Sequence, residues 1–165
     1  MKKYELTAEF IEKWGKKLFR IKALIGFGSV EAGELGGYVE KEDNLAQNGN
    51  AWVFDDAEVY GNARVCGNAE VYGNARVYDD ADYLLIGRIG SRFSFTTFFK
   101  NKDKGITVSC GCFLGTIAEF RAKVTDTHGN NKHAKMYNLA ADMAELQILG
   151  EEHFDKLNTN KSEPF

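Results

Sequence analysis

The sequence predicts a mainly-β fold: a short left-handed parallel β-helix of about three coils, with an N-terminal β cap and a C-terminal β-hairpin followed by two α-helices. Three observations lead there. From Asn44 the chain repeats every six residues, as NLAQNG, NAWVFD, DAEVYG, NARVCG, NAEVYG and NARVYD, before DADYLL. Glycine is used 17 times against a single proline, and glycines recur at one slot of the repeat. Beyond the repeat, apolar residues first alternate, as in strands, and then fall at helical spacing.

Each slot of the repeat has a physical job. Val53, Val59, Val65, Val71 and Val77 suit buried strand positions. Ala57, Ala63, Ala69, Ala75 and Ala81 fit where the chain must come close to its neighbouring coil. Gly49, Gly61, Gly67 and Gly73, each followed by Asn, suit tight corners, because both residues tolerate positive φ. With three hexads per coil, residues eighteen apart are expected to stack. Glu58 then meets Arg76, and Arg64 meets Asp82, as opposite charges. Phe54 meets Tyr72, and Tyr60 meets Tyr78, as aromatic ladders; such cross-strand pairs contribute roughly 0.2–1 kcal/mol each. The aromatics neighbour the inward valines, so they are expected to face outward, covered by the flanking segments or by a second subunit.

The flanks divide the rest of the chain. Residues 1–35 read as an N-terminal cap, with a strand at Tyr4-Glu5-Leu6-Thr7 and a hairpin whose arms flank Gly15. A short helix over 7–14 is the alternative, since Phe10, Ile11 and Trp14 have helical spacing. Residues 36–88 are the β-helix, 89–149 a ββαα segment and 150–165 a flexible tail. In the ββαα segment, 92–100 reads as a strand with Phe93, Phe95, Thr97 and Phe99 on one face. A turn follows at 101–105, and 106–112 is a second strand on which Ile106, Val108, Cys110 and Cys112 share the inward face. Ile117, Phe120 and Val124 predict a helix ending at His128-Gly129. A last helix starts near Asn130-Asn131 and stops at Gly150, with Met136, Leu139, Ala140, Met143 and Leu146 inward.

Composition narrows the partners. The chain has 165 residues, a formal charge of −3 and a pI near 5.7, which excludes a strongly basic binder of long nucleic acid. No apolar run reaches the roughly 18 residues a membrane span needs, and no signal-peptide pattern opens the chain. Three cysteines, an odd number, fit a reducing cytoplasm.

The chemistry-bearing residues lie after the repeat, which holds none of the histidines. Gly87-Arg88-Ile89-Gly90-Ser91-Arg92 is a glycine-rich basic loop. It precedes a strand, so it is neither a P-loop nor a dinucleotide fingerprint, but its amides and arginines suit an anion. The alternative is a plain connector. Thr96 and Thr97 follow, on a hairpin whose Lys100 and Lys102 read as solvated. Cys110-Gly111-Cys112 and Thr127-His128-Gly129-Asn130-Asn131-Lys132-His133 complete the set, with Tyr137 one helical turn beyond His133. Cysteine and histidine together raise zinc, although the C-x-C spacing departs from the common zinc patterns. A Cys–His nucleophilic pair needs an exposed thiol of low pKa, which an inward-facing cysteine does not offer. The histidine segment reads either as a recognition loop for phosphate, ribose or a base edge, or as a capped turn between helices.

The hexads GNARVCGNAEVYGNARVY resemble those of the hexapeptide-repeat β-helix proteins. Many members of that group are acyltransferases that trimerise and bind acyl carriers between subunits. The pieces LGGYVEKEDNL, GNAWV, IGRIGSRFSFTTFF, CGCFLGTIAEF and THGNNKHA look like a family of small hexapeptide-repeat proteins encoded by bacteria, phages and prophages. The resemblance implies a homo-oligomer, a trimer by preference, in the cytoplasm (the host cytoplasm for a phage product). The phage setting implies counter-defence.

The expected function is therefore a binding protein without cofactor or metal, which sequesters a phosphate-bearing small molecule such as a nucleotide immune signal. Its expected lining is Arg88, Ser91, Arg92, Thr96, Thr97, His128, Asn131, Lys132, His133 and Tyr137. One alternative is an acyltransferase-like enzyme using His128 or His133 as base. Another is an oligomeric interaction scaffold without a small-molecule site.

Overall fold

The structure is a computed structural model and describes residues 1–159. Its architecture corrects the expected mainly-β left-handed helix. The described residues form three separate sheets of mixed kind and three α-helices. The first sheet has five strands: β1 (Tyr4–Lys13), β2 (Lys16–Ala23), β3 (Leu35–Val39), β5 (Glu58–Val59) and β7 (Arg76–Val77). It is antiparallel from β1 to β3 and parallel from β3 to β7. The second pairs β4 (Trp52–Val53) with β6 (Glu70–Val71). The third is an antiparallel sheet in the order β11 (Phe113–Thr116), β10 (Ile106–Cys110), β9 (Ser94–Lys100) and β8 (Tyr83–Ile89).

The correction has a physical reason. Each of the repeat's four strands contributes only two residues to a ladder, while the flanking hairpins supply strands of seven to ten residues. The long ladders therefore set the architecture. Pairing at eighteen residues persists locally, with Glu58 opposite Arg76 and Trp52 opposite Glu70. Arg76 Nε lies 3.2 Å from Glu58 Oε2, and Phe54 stacks on Tyr72 with centroids 4.1 Å apart. Tyr60 and Tyr78 meet edge to face at 5.1 Å. The expected Arg64–Asp82 pair does not form, because Asp82 turns to Lys100 and to the backbone of Tyr78 and Asp79.

The N-terminal segment is the hairpin, not the short helix. Lys13 pairs with Lys16, leaving Trp14 and Gly15 as a two-residue turn with φ of 49° and 76°. Asn-Gly is the ordinary choice for such a turn. A bulky residue in that left-handed region costs about 1–2 kcal/mol. The hairpin covers the repeat: Leu18, Tyr38 and Tyr60 form a buried cluster joined by Ile11. Tyr60 is thus covered within the chain, whereas Tyr78 is half exposed.

Two cores meet at β9. The repeat valines, with the repeat alanines except the exposed Ala81, and Tyr4, Ile21, Trp52 and Phe99, form the first. The third sheet and the helices α1 (Ile117–His128) and α2 (Lys132–Leu149) enclose the second around Phe98, Val108, Phe120 and Tyr137. Because β9 is covered on both faces, Thr96, Thr97, Phe98 and Phe99 are all buried. Phe93 and Phe95, expected on the same face as Thr97 and Phe99, are instead exposed ahead of the covered stretch.

The helices start and stop where their chemistry dictates. The Thr116 hydroxyl accepts from Glu119 N at 3.2 Å, and Glu119 accepts from Thr116 N at 2.8 Å, a reciprocal cap for α1. Asn131 accepts from Ala134 N at 3.1 Å and caps α2. Arg121 ties the two helices through Asp142 at 2.7 Å and Glu145 at 2.8 Å. The inward face of α2 is not the expected one. Ala134, Ala140, Ala141 and Ala144 face the core and let the helix come close, while Leu139, Met143 and Leu146 point outward. The chain turns at Gly150 and forms a third helix, α3 (Glu151–Thr159), where a polar tail was expected. The rest of that tail, 160–165, lies outside the described residues. Among the described residues no helix is long and apolar enough to cross a membrane.

Lys3 anchors the N-terminus. It is 2% exposed, its ammonium donates to Ala51 O at 2.8 Å, and it sits 4.7 Å over the Phe27 ring. Burial pushes its pKa down to about 8. The unfolded lysine titrates near 10.4, so the unfolded chain holds the extra proton between these values. Lys3's contribution to stability therefore rises as pH climbs from 8 toward 10, and is lost as pH falls through 8. Urea unfolding across that window should show a less positive slope of stability with pH in Lys3→Met than in wild type. Equal slopes would contradict the assignment.

Candidate functional site

The third sheet and the α1–α2 pair open a cleft at one end. Its walls are the β8–β9 turn, the β10–β11 turn, the last turns of α1, and Tyr137 from α2. The cavity measures about 220 Å³ and is lined by Ser91, Arg92, Cys110, Cys112, His128 and Tyr137 among others. A smaller apolar recess of about 100 Å³ adjoins it, behind Phe113, Phe120 and Val124.

Local structure positions each group. Gly129 ends α1 at φ 58° and leaves His128 in the last helical turn. Asn131 restarts the chain as a helix, so His133 and Tyr137 project one turn apart. The His128 ring lies 5.8 Å from Tyr137, nearly parallel at 29°, and 5.6 Å from the His133 ring. His133 Nδ1 is buried without a hydrogen-bond partner. Gly90 comes so close that a Cβ there would sit 1.8 Å from the Tyr137 hydroxyl. Burial, reinforced by the neighbouring Cys110, pushes the Tyr137 phenol up to about 12, so it stays protonated near neutrality. The Thr96 hydroxyl donates to Cys110 Sγ at 3.1 Å, which fixes the half-buried thiol at the cleft wall.

The residues expected to line a site are only partly gathered. Ser91, Arg92, His128 and Tyr137 share the cleft. Thr96 stands behind it, acting through Cys110, and His133 adjoins His128. Arg88 is exposed, and its Nε donates to Phe93 O at 3.2 Å, closing the β8–β9 turn. Thr97 points the other way and accepts from Glu70 N at 3.2 Å, pinning the sheet to the repeat. Asn131 is occupied as the α2 cap, and Lys132 is exposed at the first position of that helix.

The structure adds Lys123, and it brings Thr127 of the histidine segment into the lining, both at the recess beside His128. Their four-residue spacing on α1 was the available signal. The two strand cysteines do not share an inward face. β10 ends at Cys110, Gly111 turns the chain at φ 58°, and Cys112 is exposed. Among the described residues no three His, Cys, Asp or Glu side chains are placed to hold a metal ion together.

No protein-family profile matches the chain. It is 40% identical over 63 residues to an uncharacterised acetyltransferase, YdcK, of Escherichia coli K12, a match covering 33% of this chain and 19% of that protein. The chain thus spans about a fifth of the length of that curated relative.

Proposed function

We propose that the chain takes part in acyl transfer from a phosphate-bearing thioester donor, at the cleft between the third sheet and the α1–α2 pair. The observation that supports this is the meeting of an imidazole, a protonated phenol and a guanidinium around one opening, His128, Tyr137 and Arg92. The similarity to an acetyltransferase points the same way. Arg92, with Lys123 at the recess, suits the donor's phosphates. His128 takes the proton from an amine or alcohol acceptor as that atom bonds to the thioester carbonyl carbon. The Tyr137 hydroxyl donates to the oxygen that gains negative charge. The C–S bond then breaks, and the imidazolium returns its proton to the leaving thiolate.

Acetyl-CoA is the test probe, with binding read by calorimetry and thiol release read by a thiol reagent. Arg92→Ala is expected to weaken binding by about tenfold or more, as loss of a charge-assisted contact does. His128→Asn is expected to bind normally and to lower turnover by about 10²-fold or more. Thiol release unchanged in His128→Asn would sink the role of that imidazole.

The same groups support a second reading, sequestration of a nucleotide-like signal in counter-defence. Arg92 and Ser91 would hold its phosphate, and the partly exposed His128 ring, backed by Tyr137, would stack on its base. A nucleotide released intact on denaturing the purified chain, with no acetyl-CoA turnover, would favour that reading. Self-association belongs to either reading, since Leu139, Met143 and Leu146 leave an apolar stripe on α2 uncovered. Sedimentation of the full chain reads the subunit number, with a trimer expected from the resemblance of the repeat.

A further inference from the structure

A second opening lies at the other end of the third sheet. The cleft above sits at the Ser94 end of β9, and this one at the Lys100 end, about 20 Å away at 3.3 Å per residue. It is a groove of about 420 Å³ between the tip of the β1–β2 hairpin, the repeat and the β9–β10 turn. Aromatic rings form its floor. Trp14 lies 5.8 Å from Tyr60, and Tyr60 lies 5.1 Å from Tyr78.

Cations form its rim. Lys13 and Arg76 are both engaged by the buried Glu58, and Lys100 is engaged by Asp82. Lys102 and Lys104 are exposed, and neither has an ion-pair partner among the described residues. Asp103, between them, lines not this groove but a neighbouring hollow with Ile117 and Arg121, which Lys104 borders as well. The turn that carries the two lysines is already rigid. Asn101 accepts from Asp103 N at 3.0 Å and Gly105 N at 3.1 Å, and Lys102 N donates to Asn74 O at 3.1 Å. The backbone that carries the two cations is thus fixed beside the row of rings, and only the lysine side chains have to order on binding.

Trp14 shows that the floor is not an accident of packing. It occupies the turn position that ordinarily goes to Asn, at φ 49°, and its side chain is 77% exposed. A tryptophan that strains the backbone and buries little leaves its ring free for a ligand.

We propose that this groove binds a nucleotide, with the nucleobase on Trp14 and Tyr78 and the phosphates on Lys102 and Lys104. Aromatic faces accept any base by stacking, and lysine serves phosphate as a point charge. The groove is the size of a small-molecule site. The chain's overall charge of −3 disfavours a long nucleic acid there.

Calorimetric titration of the full chain with ATP, GTP, CTP and UTP, beside inorganic triphosphate and the parent nucleosides, tests this. At least one nucleotide is expected to bind saturably, ten times or more tighter than triphosphate or its own nucleoside, and more weakly as salt rises. Of the two tryptophans, Trp52 is buried, so quenching of the exposed Trp14 should accompany binding. Trp14→Asn is expected to weaken binding at least tenfold while the melting temperature stays level or rises, because the turn is relieved. Lys102→Ala/Lys104→Ala should weaken it comparably. Arg92→Ala, which is expected to weaken binding in the other cleft, should leave it unchanged, which separates this site from the proposed acyl-transfer site. Triphosphate or the nucleoside binding as tightly as the nucleotide would overturn the proposal. So would unaltered binding in Trp14→Asn, or no binding of any of the four at millimolar concentration.

Discussion

Replacing Trp52 by alanine is expected to lower stability by about 3–5 kcal/mol, the cost of emptying a large buried aromatic site. The indole is fully buried, edge to face with Tyr4 at 6.1 Å and with Phe27 at 5.4 Å. It is where the N-terminal segment and the repeat share one core, so the cavity would open between them. The neighbourhood cannot collapse easily. Gly36 packs so closely that a Cβ there would sit 2.7 Å from the indole, and Lys3 is held in place over Phe27. Trp52→Phe should cost far less, about 1.5 kcal/mol or below. It keeps most of the volume and removes an indole N–H that is buried without a partner. Urea unfolding followed by circular dichroism compares the three proteins. A Trp52→Ala loss near that of Trp52→Phe would show that the hairpin and the repeat are not energetically joined there.

Trp52 also marks where the sequence was legible and where it was not. In its slot the other hexads carry Glu58, Arg64, Glu70 and Arg76, so the period alone places a tryptophan among charges on an outer face. The period sees the repeat and not what covers it. Tyr4, Phe27 and Lys3 cover that face, and all three come from a segment whose sequence carries no trace of the repeat. The same limit applies to the architecture. A strict six-residue pattern implies a continuous coil, but two-residue ladders leave the architecture to the longer hairpins, which join the repeat's strands or lie against them. Gly87 and Gly90 predict a loop, yet Tyr83–Ile89 form strand β8. Gly87 is needed where Phe95 crosses the strand, since a Cβ would meet its ring at 2.3 Å. α1 and α2 were legible because their signals are local, the spacing of Ile117, Phe120 and Val124 for α1 and the cap at Asn131 for α2. The face of α2 was not, because burial free energy favours leucine inside, whereas the close approach of the sheet leaves room only for alanine. The candidate site follows the same division. Ser91, Arg92, His128 and Tyr137 came together from separate elements, while Thr97, on the same strand as Thr96, was carried to the opposite face by the period of two.

Gly90→Ala is expected to be the most damaging small substitution near the cleft, at about 2–5 kcal/mol from two separable sources. The first is backbone strain. Gly90 sits at φ 80°, and a Cβ in the left-handed region costs about 1–2 kcal/mol. The second is overpacking, about 1–3 kcal/mol, because the new Cβ meets the Tyr137 hydroxyl at 1.8 Å and its ring carbon at 2.4 Å. Tyr137 has little room to retreat, with Phe120 edge-on at 5.7 Å and His128 stacked at 5.8 Å. Gly129→Ala separates the two sources. Gly129 also has positive φ, at 58°, yet nothing lies within 4 Å of its Cβ position, so only the strain should appear. A double-mutant cycle with Tyr137→Phe sharpens the comparison. Removing the hydroxyl takes away the closest contact, so Gly90→Ala should cost less in that background by about 0.5–3 kcal/mol, the range for residues in contact. Equal costs in both backgrounds, or equal costs for the two glycines, would mean that Tyr137 does not pack on Gly90. The cleft should register the same event. The contact that destabilises the chain also pushes the phenol off the His128 ring. On the proposed acyl-transfer reading, Gly90→Ala should therefore lose acetyl-CoA binding or turnover at temperatures where Gly129→Ala, still folded, keeps whatever the wild type shows.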